Sequence, residues 1–304
     1  MKPSLFLGTA MWGWTIPEKT CFELLDHFYA SGFRQIDTAT NYPINKRPED
    51  FRKAENILLE WIKTHGVKDL EVIVKIGSIN NMRSPEHNLS KSFILMNLDE
   101  YRFKYGSNLA MFMIHWDNRD DSNEIRQTLE AFEIVRAHNL QTGLSGIRHP
   151  ELYAQLNKTF QFDFFIQIKH NLLQSDYQKY QFFHGKRRFI TYGINAGGIK
   201  LNPEDYRTGS SLKARGGDVA AEHPIAVPLR QILTQANEMP DRPKLSKMNH
   251  LGMILSWYSP EVASILIGPS KSEQLADTVE FFEQLQRYDY ADVFSSLQKL
   301  TSNA

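Results

Sequence analysis

The sequence predicts an α/β fold: a (β/α)8 TIM barrel, a single domain over residues 1–304 with a long loop insertion between strands 7 and 8. Three observations predict it. Eight short β-rich runs recur along the chain. Most are separated by segments whose apolar residues follow the helical period, the alternation that builds a parallel barrel. The rival, a doubly wound open sheet, lacks its main signature, because no G-x-G-x-x-G follows the first run.

The elements read in order. "LFLGTAM" at 5–11 is the first strand, then "RQIDTA" at 34–39, "EVIVKIG" at 71–77, "LAMFMIH" at 109–115 and "QTGLSGI" at 141–147. "FDFFIQI" at 162–168, "RRFITYG" at 187–193 and "VASILIG" at 262–268 complete the set. After the first strand, "CFELLDHFYASGF" places Phe22, Leu25, Phe28 and Tyr29 on one helical face, and Gly32 stops it. "AENILLEWIKTHGV" repeats the pattern with Ile57, Leu58, Trp61 and Ile62 before Gly66. Ile125, Leu129, Phe132 and Val135 mark another helix, and Leu275, Val279, Phe282 and Leu285 the last. From Gly193 to Val262 one unit is oversized, and its "KLNPEDYRTGSSLKARGGDVAAEHP" reads as a long polar loop on the barrel rim.

Bulk properties narrow the function. Hydrophobic residues make up 41% of 304, enough for a large core. Lys+Arg and Asp+Glu are both 35, so no net charge favours nucleic acid or an anionic membrane. No stretch reaches the apolar length of a membrane span. The lone Cys21 excludes a disulfide framework and suits a buried small hydrophobe. A soluble protein of the cytoplasm, a reducing compartment, is the expectation.

In a barrel of this kind the working residues stand at the C-terminal ends of the strands. The second strand ends with Asp37, and Tyr42 follows in the loop "TNYP". Lys75 sits in "VIVKIGS", and His115 ends "FMIH". Together they make chemical sense. A phenol is a poor acid at neutral pH, an adjacent ammonium favours its phenolate, and a carboxylate holds that ammonium. A histidine orients a carbonyl, so the set is a general acid for an alkoxide as it forms. Each residue also has a plain reading: Asp37 as a cap, Tyr42 as a rim aromatic, His115 as a core histidine. Lys75 resists one, since a buried lysine needs a partner. Two other chemistries use the same residues. Lys75 as a Schiff-base nucleophile is one. A metal on His115 and Asp117 is a weak second, and no metal is expected.

"LGTAMWG", "IDTATNYP", "VIVKIG" and "MIHWDN" resemble the aldo-keto reductases, in that order and at strand ends. The resemblance implies Tyr42 as proton donor, Lys75 and Asp37 tuning it, and His115 orienting the carbonyl of a small-molecule aldehyde or ketone. It implies hydride from a bound nicotinamide, NADP(H) before NAD(H). It extends to about residue 285. "GLSGI" and "FIQIKHNLL" are similar to strand ends whose Ser145 and Gln167 would bond the carboxamide. "FITYGINAGG" supplies Tyr192 to stack on the ring. "ILIGPSKSEQLADTV" would carry the adenosine phosphate on Ser270, Lys271 and Gln274.

The sequence also departs from the family pattern. Gly146 stands where an asparagine is usual, "GINAGG" replaces a Ser-Pro-Leu turn, and Gln274 replaces a frequent arginine. Trp12, Trp14 and Trp116 would give an aromatic rim to the substrate pocket. Asn45, Lys46, Arg47, Arg207 and Arg215 would add polar and basic groups, which suits a hydroxylated or acidic carbonyl such as a sugar derivative. The alternative to an enzyme is a barrel that binds nicotinamide as a sensor or regulatory subunit.

Overall fold

In a computed structural model of the chain, residues 2–186, 188–202, 214 and 223–302 are described. Eight parallel strands close a barrel in sequence order: β1 (Ser4–Gly8), β2 (Gln35–Ala39), β3 (Glu71–Ile76), β4 (Leu109–His115), β5 (Gln141–Ser145), β6 (Phe165–Lys169), β7 (Phe189–Tyr192) and β8 (Val262–Ile267). The register that closes it runs from Ser4 against Ser264 to Leu7 against Ile267. The outer helices are α1 (Glu18–Ala30), α2 (Lys53–His65), α3 (Lys91–Tyr105), α4 (Ser122–Ala137), α5 (Pro150–Phe160), α6 (Ala226–Ala236), α7 (Met248–Tyr258), α8 (Ser272–Arg287) and α9 (Ala291–Ser302).

Strand periodicity sorts every side chain. Successive residues point to opposite faces, so Val72, Val74 and Ile76 pack outward against the helices. Ile73 points inward with Phe6, Met111, Met113 and Ile190, and these fill the barrel as a separate apolar plug. Gly143 belongs to the plug by omission. A Cβ there would lie 2.5 Å from Met113 Cε and 2.8 Å from the Phe165 carbonyl oxygen.

The same alternation carries one layer further up. Two residues beyond Ile73 stands Lys75, beyond Met113 stands His115, and beyond Phe165 stands Gln167. The polar floor of the mouth is thus the next inward layer above an apolar plug.

Two boundaries differ from the sequence reading. β1 ends at Gly8, because residues 9–16 fold back in a tight turn held by Trp12 N–H to Thr9 O and Gly13 N–H to Ile16 O. The connection from β7 to β8 is long, as expected, yet much of its second half is helical. Pro228 in α6 and Gly252 in α7 read as breakers. Pro228 lies in the first helical turn, where its missing N–H leaves no bond unmade. Gly252 lets α7 touch the backbone of another segment, since a Cβ there would lie 2.3 Å from Ile194 O. Arg207 and Arg215, with most of the polar stretch around them, lie outside the described residues.

Candidate active site

The C-terminal mouth of the barrel holds a cavity of about 480 Å³. Asp37, Tyr42, His115, Ser145, Gln167 and Tyr192 all line it. Asp37 sits in the middle of β2, two residues before the strand ends, and is 1% exposed. That is one layer deeper than a strand-end position. Its carboxylate is bonded on both oxygens: Lys75 Nζ donates to Oδ2, and Gln167 Nε2 donates to Oδ1 at 2.7 Å. Ser145 Oγ in turn donates to Gln167 Oε1 at 3.1 Å. A polar chain Lys75–Asp37–Gln167–Ser145 therefore crosses the barrel from β3 to β5.

Lys75 has no exposed surface and stands behind Asp37, outside the cavity wall. Burial pulls its ammonium below the ordinary lysine range, and the Asp37 carboxylate pulls the other way. Its Nζ lies 4.9 Å from the Tyr42 ring centroid. Tyr42, in the loop after β2, meets His115 edge to face, with centroids 6.0 Å apart and planes at 89°. Burial holds the His115 imidazole well below its ordinary value, and the Lys75 charge adds to the effect. The ring is neutral at pH 7, and its Nδ1 finds no hydrogen-bond partner among the described residues. A neutral imidazole keeps one N–H and one acceptor.

Asp117 is engaged by neighbours other than His115. Burial alone would raise its carboxyl, but Arg119 outweighs this with two hydrogen bonds of 2.9 Å, and Tyr153 Oη adds one at 2.5 Å. Among the described residues no cluster of His, Cys, Asp and Glu is arranged to hold a metal ion. Lys75, tied to Asp37 behind the wall, is also poorly placed to meet a carbonyl as an imine-forming lysine.

The aromatic rim is smaller than expected. Trp14 and Trp116 line the cavity. Trp12 does not: it is 0% exposed and belongs to the outer apolar core. The turn that ends β1 early carries it inward. Asn45 is engaged with Asp50 and Asn81, and neither Lys46 nor Arg47 lines the mouth. Among the lining residues that sequence reasoning passed over are Ile44 and Arg83. Arg83 lies on the loop after β3, at a C-terminal strand end like the others, and that position was the available signal.

The missing asparagine has a local cause. Gly146 has φ +67°, and a Cβ on it would lie 2.5 Å from Trp116 Cδ1. Trp116 itself is left-handed at φ 59°. The indole occupies the space into which a side chain at 146 would grow.

The side of the mouth after β7 and β8 is different in character. Tyr192, Gly193, Asn195, Gly197, Gly198 and Gly268 line it. A Cβ on Gly268 would meet nothing within 4 Å, so that wall is open. Ser270, Lys271 and Gln274 follow but do not reach the cavity. Gln274 Oε1 accepts from Ser270 N–H at 2.9 Å and from Ser270 Oγ at 3.0 Å, closing the turn into α8. Lys271 is exposed at the N-cap of that helix.

The barrel and its mouth can be set beside known proteins. A family model described as the aldo/keto reductase family matches residues 4–297. This chain belongs to the aldo/keto reductase family. Over 122 residues the reductase-family chain is 30% identical to Protein tas of Escherichia coli K12, covering 38% of this chain and 35% of that protein. Protein tas of Shigella flexneri matches to the same extent. The chain is also 37% identical over 82 residues to an uncharacterized 11.2 kDa protein in the crtE 3′ region of Pseudescherichia vulneris, 25% of this chain and 76% of that one. The matched segment thus spans about a third of the length of the Tas proteins. Aldo/keto reductases are oxidoreductases that use nicotinamide cofactors, and no described helix is long and apolar enough to cross a membrane.

Proposed function

We propose that this aldo/keto reductase reduces an aldehyde or ketone with NADPH, with Tyr42 as the general acid. The observation that carries the reading is the meeting of Tyr42 and His115 edge to face on the wall of a cavity that Asp37 also lines, with Lys75 paired to it behind the wall. A nicotinamide, when bound, supplies the hydride. The donor set suits it. Gln167 has a second amide N–H beyond the one given to Asp37, and Ser145 keeps acceptor capacity beside it. These two would hold the carboxamide, and Tyr192 would take the ring face. Ser270, Lys271 and Gln274 would hold the adenosine phosphate at a helix start, where backbone N–H groups favour an anion.

The protein's own groups do the proton work. His115, kept neutral, donates to the carbonyl oxygen and orients it. Tyr42 gives its proton as negative charge gathers on that oxygen. The Lys75 ammonium, 4.9 Å from the ring, stabilises the charge left behind, and Asp37 keeps that ammonium in place. Trp14 and Trp116 offer flat apolar faces to the rest of the substrate, for which a hydroxylated or acidic carbonyl such as a sugar derivative is the expected class. The proposed setting is the cytoplasm, with which a sequence holding a single cysteine is in keeping.

The test is Tyr42→Phe. Carbonyl reduction, followed by nicotinamide absorbance over a panel of carbonyls, should fall by about 10²-fold or more, the usual worth of a general acid. NADPH affinity by fluorescence titration should stay within about twofold, since a lone lost contact to the cofactor would cost tenfold. Loss of both together would make Tyr42 a structural residue, and no turnover by the unmodified protein would favour a binding barrel.

A further inference from the structure

We propose that Arg83 reads an anionic group, a carboxylate or phosphate, carried by the substrate. The inference rests on the reductase reading and names its substrate class. Among the described residues two charged ones line the cavity, Asp37 and Arg83, since His115 is neutral. Asp37 is already bonded to Lys75 and Gln167. What an occupant meets as net charge on the wall is therefore the guanidinium. Arg83 forms no ion pair among the described residues. Its one hydrogen bond there is a long one, Nε to the Ile44 carbonyl at 3.4 Å. A guanidinium has five N–H donors in a planar fork, so most of its capacity is open.

Position makes that capacity specific. In a closed barrel of eight strands in sequence order, β3 lies across from β7. Arg83, after β3, faces the mouth from the side opposite Gly193–Gly198, after β7. Its neighbours in the lining, Tyr42, Ile44 and Trp116, come from the strands beside it. An anion held by Arg83 thus sits on the acid's side of the mouth, away from the glycine-lined wall. Arg83 is exposed at the rim, so the contact it offers is a solvent-accessible, charge-assisted hydrogen bond whose strength falls with added salt.

The backbone that carries the cation is also held in place. Arg83 has φ 61°, an unfavourable backbone for a residue with a side chain. The turn is held because Asn80 Oδ1 accepts from Met82 N–H at 2.8 Å and Ser84 Oγ at 3.0 Å. Asn81, 1% exposed, joins this loop to the one bearing Tyr42. Its Nδ2 donates to Pro43 O at 3.2 Å, Asn45 Oδ1 at 3.2 Å and Arg47 O at 2.7 Å. Lys46 N–H returns a bond to Asn81 O at 3.2 Å. The acid and the cation therefore ride on two loops latched into one unit. That is how a site measures the separation between a carbonyl and an anionic group in one molecule.

The experiment compares matched substrates on the full chain with NADPH. The pairs are 4-carboxybenzaldehyde against 4-methylbenzaldehyde, and glyceraldehyde 3-phosphate against glyceraldehyde. One pair tests a carboxylate, the other a phosphate. The unmodified protein should favour the anionic member of at least one pair by about tenfold or more in kcat/KM, the scale of a charge-assisted hydrogen bond. Arg83→Gln should remove most of that preference through KM, and Arg83→Lys should restore part of it. An equal preference in the unmodified protein and Arg83→Gln overturns the proposal. Tryptophan fluorescence titration with benzoate and with benzamide separates this from the reductase reading. If no carbonyl is reduced, tighter benzoate binding that Arg83→Gln abolishes still upholds the anion site. Equal benzoate affinity in both proteins sinks it whether or not the chain is a reductase.

Discussion

A lysine with no exposed surface persists only while something answers its charge, and at residue 75 the answer is Asp37. That pair was half legible. Lys75 in an apolar strand announced a partner, and Asp37 was the acid on the neighbouring strand, one layer deeper than its expected place at the strand end. Gln167 was not legible as the second partner, because its contact with Asp37 spans 130 residues of chain and no local pattern encodes it. Trp12 was misread for a related reason: sequence shows an aromatic after a strand but not whether the turn carries it in or out. Gly146 showed as a departure, and its cause, the Trp116 indole, appears only in three dimensions. The Lys75 reading has a direct test in Lys75→Met. Removing the ammonium leaves the nascent phenolate unassisted, so the proton is held more tightly. The falling alkaline limb of kcat against pH should move to higher pH, and kcat should drop by about 10²-fold. The double change Asp37→Asn with Lys75→Met removes the unpaired carboxylate and should recover melting temperature without recovering rate. An unmoved pH limb with a lowered melting temperature would make the pair a packing device.

At the scale of elements, strands and helices were readable wherever one face was apolar and the other not. β3 and β4 were legible as apolar runs from which Lys75 and His115 stand out, and the structure supplied the face to which each points. The apolar run misled at β1, where Ala10 and Met11 continue it into a turn that is not strand. The helices α6 and α7 were missed as well, because the whole unit from Gly193 to Val262 was read as a long polar loop. In α7 a weak helix former, Gly252, sits where the helix touches the Gly193–Gly198 segment at Ile194. A rigid helix thereby backs the wall proposed for the cofactor. The other end of that wall is the start of α8, where the cofactor prediction belongs. Gln274 is engaged with Ser270, which leaves Lys271 as the charge at the N-cap. Lys271→Ala should weaken NADPH about 10-fold, at the low end for a charge-assisted hydrogen bond because the lysine is exposed. NADH, without the 2′-phosphate, should be unaffected. Fluorescence titration with both cofactors decides it, and equal weakening of the two would place the phosphate elsewhere.

The molecule as a whole carries no net charge, yet its stability should depend on pH through three histidines packed in different places. His115 is in the mouth, His250 in α7, and His170 after β6, where its ring bonds Ser175 Oγ at 2.8 Å and Ser259 Oγ at 2.9 Å. Burial lowers all three, His170 to about 4. For His250 the nearby Asp277 opposes burial without overcoming it. An unfolded histidine titrates near 6.5. Between that value and the folded one, the unfolded chain takes up protons that the native barrel refuses. Stability is therefore fully present above about pH 6.5 and is lost as pH falls through the folded values. Each histidine contributes a slope of up to about 1.4 kcal/mol per pH unit in that window, and His170 alone about 3 kcal/mol across it. The carboxylates act lower down. Asp117, Glu100 and Asp163 are held below their ordinary range against the burial that would raise them, so their contribution goes only as pH falls through about 4. Urea midpoints between pH 7.5 and 5 thus isolate the histidines. The midpoint should hold from pH 7.5 to about 6.5 and fall from there to pH 5, and His170→Gln, which keeps a polar partner for both serines, should make that fall shallower. A midpoint that holds level from pH 7.5 to 5 would mean that the barrel opens enough at these sites to protonate them while folded.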